Sequence, residues 1–100
     1  MEKDEMILGQ VVRSVAGRDK GKFMVIVKIH PENLLSLADG DLRRMEKSKV
    51  KKAKHVAKTN VVIEEINEKL SKGLKVNNAE LRRGLDRYKS DCLGEQEDVK

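Results

Sequence analysis

Arg18, Lys20 and Lys22 stand at alternate positions in a short stretch punctuated by Gly17 and Gly21. Three cations in so short a loop attract an anion, and glycine lets a ligand come close to the backbone. The plainer reading is a solvated loop whose glycines serve only a turn. A second concentration of charge follows: residues 43–58 carry eight Lys/Arg and one acid, Glu46. Like charges at that density repel one another. A polyanion would relieve the repulsion and release its own counterions. Arg43, Arg44, Lys47, Lys49, Lys51, Lys52 and Lys54 are the candidates for phosphate contact in this run. Arg82, Arg83 and Arg87 have Glu80, Asp86 and Asp91 near enough to pair with, and read as an ordinary solvated face.

No pattern for catalysis accompanies these charges. His30 precedes Pro31 and reads as a surface residue, and His55 sits among lysines. Cys92 is the only cysteine, so it can form no intramolecular disulfide and no thiolate metal cluster. Asp39 and Asp41 flank Gly40 without the spacing of a calcium loop. A P-loop and a dinucleotide fingerprint are both missing. The expectation is a protein that is not an enzyme and needs no cofactor or metal.

The basic loop needs two strands to hold it. Residues 10–15 and 23–29 are β-branched runs of strand length on either side of it. In the second, Phe23, Val25, Val27 and Ile29 share one face and Met24, Ile26 and Lys28 the other. With both faces largely apolar, this strand should be covered on each side, by a barrel interior and by helix. Pro31 marks a turn at 30–33, and 34–38 reads as a third strand. Asp39-Gly40-Asp41 reads as a hairpin turn into a fourth strand at 42–45, followed by an exposed loop at 46–52 and a last strand at 54–58. From Asn60 the period changes to helical: Ile63, Ile66 and Leu70 make one stripe, with Thr59 or Asn60 as cap and Gly73 as stop. Asn77 and Glu80 have the spacing of a capping box. Leu81, Leu85 and Tyr88 then line a second helix, in which Gly84 allows close packing.

Length and composition bound the rest. One hundred residues fit one domain, and with only Phe23 and Tyr88 aromatic the core must be aliphatic and small. Charge is uneven: residues 1–60 hold 14 Lys/Arg against 8 Asp/Glu, while residues 61–100 hold 8 against 9. The positive field therefore belongs to the β-rich part. Residues 1–6 are charged and read as a flexible N-terminus without a secretory signal, and 91–100 as a disordered tail. No apolar run approaches the roughly 20 residues that cross a bilayer. The expectation is a soluble, cytoplasmic protein that makes no membrane contact and is monomeric when free.

The strand-loop-strand resembles a KOW motif. The resemblance rests on Gly9, on Val11, Val12 and Val15, on Gly17 and Lys20-Gly21-Lys22, and on Val25-Ile26-Val27. Many KOW motifs carry a further glycine near the position of Met24, which this chain lacks. The order of motif, basic run and helical tail is most similar to the small bacterial KOW-domain RNA-binding proteins. These in turn resemble the eukaryotic- and archaeal-type large-subunit ribosomal proteins of the fourteen-e, six-e and twenty-seven-e group. What this implies is a mostly β fold: an SH3-like KOW barrel over residues 7–60, with a two-helix extension over 61–90 packing on or beside it. It also implies Gly9, Gly17 and Gly21 as the motif's glycines, and a ribosomal or ribosome-associated role with large-subunit ribosomal RNA as partner. Two aromatics cannot form a wide stacking platform, so recognition should be by phosphate and shape rather than by base. The rival reading is a protein-interaction module, in which the strand edges or the leucine-faced tail dock a transcription or translation factor.

Overall fold

Strand alternation in the centre of the chain sets the architecture. A computed structural model describes residues 6–90; the tail at 91–100 and all of the N-terminal segment except Met6 lie outside them. Five strands, β1 (Gln10–Ser14), β2 (Phe23–His30), β3 (Leu34–Ala38), β4 (Lys49–Lys52) and β5 (Val56–Val62), form one antiparallel sheet in the order β4-β3-β2-β1-β5. Two helices follow, α1 (Glu64–Ser71) and α2 (Asn78–Tyr88). The protein is thus a small, mostly β domain with a helical end.

β2 is central, and its two faces feed two separate apolar clusters. Val25 and Val27 join Val11, Ala38, Ile66, Leu81 and Leu85 on the helix side. Met24 and Ile26 join Val12, Leu35, Leu37 and Val56 on the other. The alternation read from the sequence holds through Val27. It fails at Ile29, which is 44% exposed beyond a register shift between Ile26 and Lys28.

The sheet is strongly curled. β4 and β5 lie at its opposite edges, yet only the 3-10 turn Ala53–His55 joins them. Opposite edges of a flat five-stranded sheet stand about 19 Å apart. A three-residue 3-10 turn advances only about 6 Å. Curling is what lets Lys51 on β4 reach Ser14 at the end of β1, three strands away in the sheet.

Three expectations need correction. The fourth strand is Lys49–Lys52 rather than 42–45, so 46–52 is not a continuous loop, and the last strand is Val56–Val62 rather than 54–58. The first follows from Asp39, whose Oδ1 accepts the backbone N–H groups of both Asp41 and Arg43, each at 2.8 Å. That turn carries the chain away from β3 and onto α2 instead of into a hairpin. Arg82 Nη1 donates to the Gly40 carbonyl at 2.6 Å, and Asn78 Oδ1 accepts from Met45 N at 2.8 Å. Pairing with β3 resumes only at Lys49. The lysine-rich β4 is an edge strand, where charge discourages pairing with another chain.

The helices are placed by specific contacts. α1 starts at Ile63 without a side-chain cap, because Thr59 and Asn60 lie within β5. The Ile63 N–H instead donates to the Gly9 carbonyl at 2.9 Å. Gly9 has φ of 83°, and a Cβ there would stand 2.8 Å from the Asn67 backbone nitrogen, so only glycine lets α1 sit this close. Gly73 closes α1 as expected, with the Leu74 N–H returning to the Lys69 carbonyl at 2.8 Å. The capping box of α2 is formed by Asn77 and Glu80. Gly84 faces Ile63, whose Cδ1 would lie 2.8 Å from an added Cβ, and Phe23 packs against Tyr88 with ring centroids 5.4 Å apart.

Glu80 also pairs with Lys69, tying α2 to α1. The Lys69 ammonium first, and the Asn77 N–H second, hold the Glu80 carboxyl below its ordinary value of 4.5. A depressed carboxyl stabilises the fold above its unfolded value, and the contribution is lost as pH falls through the folded value. Acidification below about pH 4.5 should therefore destabilise the wild type more than Glu80→Gln. Thermal melts at stepped pH read this, and parallel curves for the two proteins would refute it.

Candidate nucleic-acid interface

The basic loop is closed by backbone hydrogen bonds. It leaves β1 at Ser14, whose N–H donates to the Lys22 carbonyl at 2.9 Å and whose carbonyl accepts from Gly21 N at 2.7 Å. Inside, Lys20 N–H donates to the Gly17 carbonyl at 3.2 Å and Lys22 N–H to the Asp19 carbonyl at 2.9 Å. Gly17 and Gly21, with φ of 80° and 89°, supply the turns. Arg18, Lys20 and Lys22 are all exposed. None of the three takes part in an ion pair among the described residues.

Two members of the basic run lie under this loop rather than beside it. Arg43 forms an ion pair with Asp19, Nη2 to Oδ2 at 3.1 Å, and its Nε donates to the same oxygen at 3.2 Å. The Asp19 side chain is only 7% exposed. Lys51 is buried, and its Nζ donates to Ser14 Oγ at 2.9 Å and to the Ala16 carbonyl at 2.5 Å. Arg43 and Lys51 are therefore positioning residues: they hold the loop whose other cations face solvent. Lys51 is removed from the set available to a ligand, and Arg43 is engaged by the protein's own carboxylate.

Removing the Arg43 guanidinium leaves a nearly buried carboxylate without its partner, at a cost of about 1–3 kcal/mol. Arg43→Met should destabilise by that order in urea unfolding. Asp19→Asn in the same chain should recover part of the loss, because paired groups are non-additive. Strict additivity of the two changes would rule out the coupling.

The remaining candidates divide between two places. Arg44 and Lys47 are exposed on the segment that α2 holds through Asn78. The one acid there, Glu46, accepts from Asn78 Nδ2 at 3.1 Å. That amide first, then a backbone N–H, Arg44 and Lys47, holds the Glu46 carboxyl below its ordinary value. Lys49 is half-buried on β4, while Lys52 and Lys54 are exposed at its end. Lys52 and Lys54 line an open groove of about 650 Å³ together with Met6, Glu32, Asn33, Ala53, Val56 and Lys58. Gly9 lies away from the loop, beneath α1.

Sequence reasoning missed Asp19, Ser14 and Lys58. Asp19 could have been noticed as the one acid among the loop's cations, but nothing local reveals that its partner is Arg43, 24 residues on. His30, expected at the surface, is instead half-buried, with Nε2 2.7 Å from Ser36 Oγ. No group of three or more His, Cys, Asp or Glu side chains among the described residues could hold a metal ion. No described helix is long and apolar enough to cross a membrane. No protein-family model matches the chain, and no curated protein matches it.

Proposed function

We propose that this chain is a non-catalytic RNA-binding module of the KOW type, ribosomal or ribosome-associated, that grips structured RNA by its phosphates and shape. One observation carries the reading. The loop at 17–22 exposes three cations while its own carboxylate and backbone are locked from behind by Arg43 and Lys51. A preorganised cluster of free cations costs little ordering on binding, which favours a rigid, repeating anion such as a nucleic-acid backbone. The curled sheet supports an SH3-like barrel: its fifth strand returns beside the first after a 3-10 turn. The two aromatics favour phosphate over base recognition, since Phe23 and Tyr88 pack on each other. The same pairing weighs against a protein-docking groove, which usually needs aromatic anchors.

The test is a salt titration with a ribosomal RNA fragment. If about six cations meet phosphates, log K should fall with log salt at a slope of roughly −4 to −5.5. A flat dependence would overturn the electrostatic reading. Sedimentation with ribosomes that is abolished by nuclease would favour RNA over a protein partner.

A further inference from the structure

We propose that the groove beside the Ala53–His55 turn seats a single unpaired nucleotide of the bound RNA, a proposal that rests on the RNA reading above. The groove has two chemically distinct parts. Among the described residues its rim carries the exposed cations Lys52 and Lys54, with Lys58 and the acid Glu32 beside them. Its floor is apolar: Met6, Ala53 and Val56 all belong to or pack against the core cluster on the sheet face away from the helices. A nucleotide has the matching parts, a phosphate anion and a flat, weakly polar base. The volume of about 650 Å³ falls within the range of small-ligand sites. Met6 can supply what the missing aromatics do not, since a thioether makes favourable contacts with aromatic rings.

Two further features place a nucleotide here. Glu32 and Asn33, at the rim, both adopt left-handed backbone conformations, with φ of 64° and 63°. For a glutamate this is strained, and such strain gathers where a site needs a particular shape. It also leaves Asn33, an amide able to pair with a base edge, exposed at the groove. The groove is next to the basic loop as well: the Val15 N–H donates to the His55 carbonyl at 3.0 Å, and that turn also contributes Ala53 and Lys54 to the groove. Through that contact a strand leaving a helix held at 17–22 has the groove as its neighbour.

The experiment compares two RNA hairpins that differ by one unpaired nucleotide. Each is titrated with the wild-type chain, with Lys52→Gln/Lys54→Gln, and with Met6→Gln. The wild type should prefer the hairpin with the unpaired nucleotide about fivefold to tenfold, with a salt slope steeper by about 1.4 for two added single-strand contacts. The lysine variant should lose both the preference and the extra slope. Met6→Gln should lose the preference while keeping the slope. Equal affinities for the two hairpins in the wild type, or a preference that survives the lysine variant, would overturn the groove proposal and leave the RNA reading standing. Failure of both hairpins to bind would overturn the RNA reading itself.

Discussion

Arg18→Glu, Lys20→Glu and Lys22→Glu, introduced together, should lower the affinity for structured RNA by at least about 500-fold at about 0.1 M salt. The size follows from counterion release. Each phosphate contact contributes about 0.9 to the log–log slope on a duplex, so three contacts contribute about 2.7. One decade of salt below 1 M converts that slope into about 2.7 decades of affinity. Reversing the charges adds repulsion to the lost attraction. The loss should be nearly uniform across RNA sequences, because phosphates carry no base identity. The fold should be untouched, since all three side chains are exposed and unpaired among the described residues. Circular dichroism and a urea melt check that point alongside the titration. A loss confined to one RNA sequence would mean that the loop reads bases, and a loss under tenfold would move the interface elsewhere.

The same loop shows how far the sequence alone could lead. Strand β2 was legible because its period-2 pattern is apolar on both faces, which demands cover on both sides, and the two clusters supply it. The capping box of α2 and the stop at Gly73 were legible because they are chemistry between near neighbours. The basic run was legible as charge but not as structure. Lysine is depleted in strands, so 46–52 reads as loop. The pairing that makes β4 comes from Leu34, Leu35, Ser36 and Leu37, and the inward turn of Lys51 is supported by Ser14, 37 residues away. Local propensity carries no record of either partner. For the same reason seven like-looking candidates in the run have different tasks: Arg43 and Lys51 brace the loop, while Arg44, Lys47, Lys52 and Lys54 face solvent.

Gly40→Ala, at a buried glycine of the loop against α2, should destabilise by about 2–5 kcal/mol. Gly40 has φ of 82°, where an L side chain costs about 1–2 kcal/mol. Its added Cβ would stand 2.3 Å from the Asn78 backbone carbonyl oxygen and 3.0 Å from Leu81 Cβ. Neither is the far end of a flexible side chain, so the two segments must separate, and overpacking of this kind costs about 1–3 kcal/mol. Separation would strain the Arg82 bond to the Gly40 carbonyl and the Met45 bond to Asn78. It would also shift the segment that carries Arg43, and with it the brace on Asp19. The effect should therefore appear twice: in a lowered urea midpoint and in weaker RNA binding by protein that is still folded. Arg82→Ala supplies the control, since it removes one bond to the same segment without forcing the backbone apart. Unchanged stability in Gly40→Ala would mean that the loop at 39–48 can lift off α2 freely. The basic loop would then lose one of its two supports without consequence, and preorganisation could not be the source of its affinity.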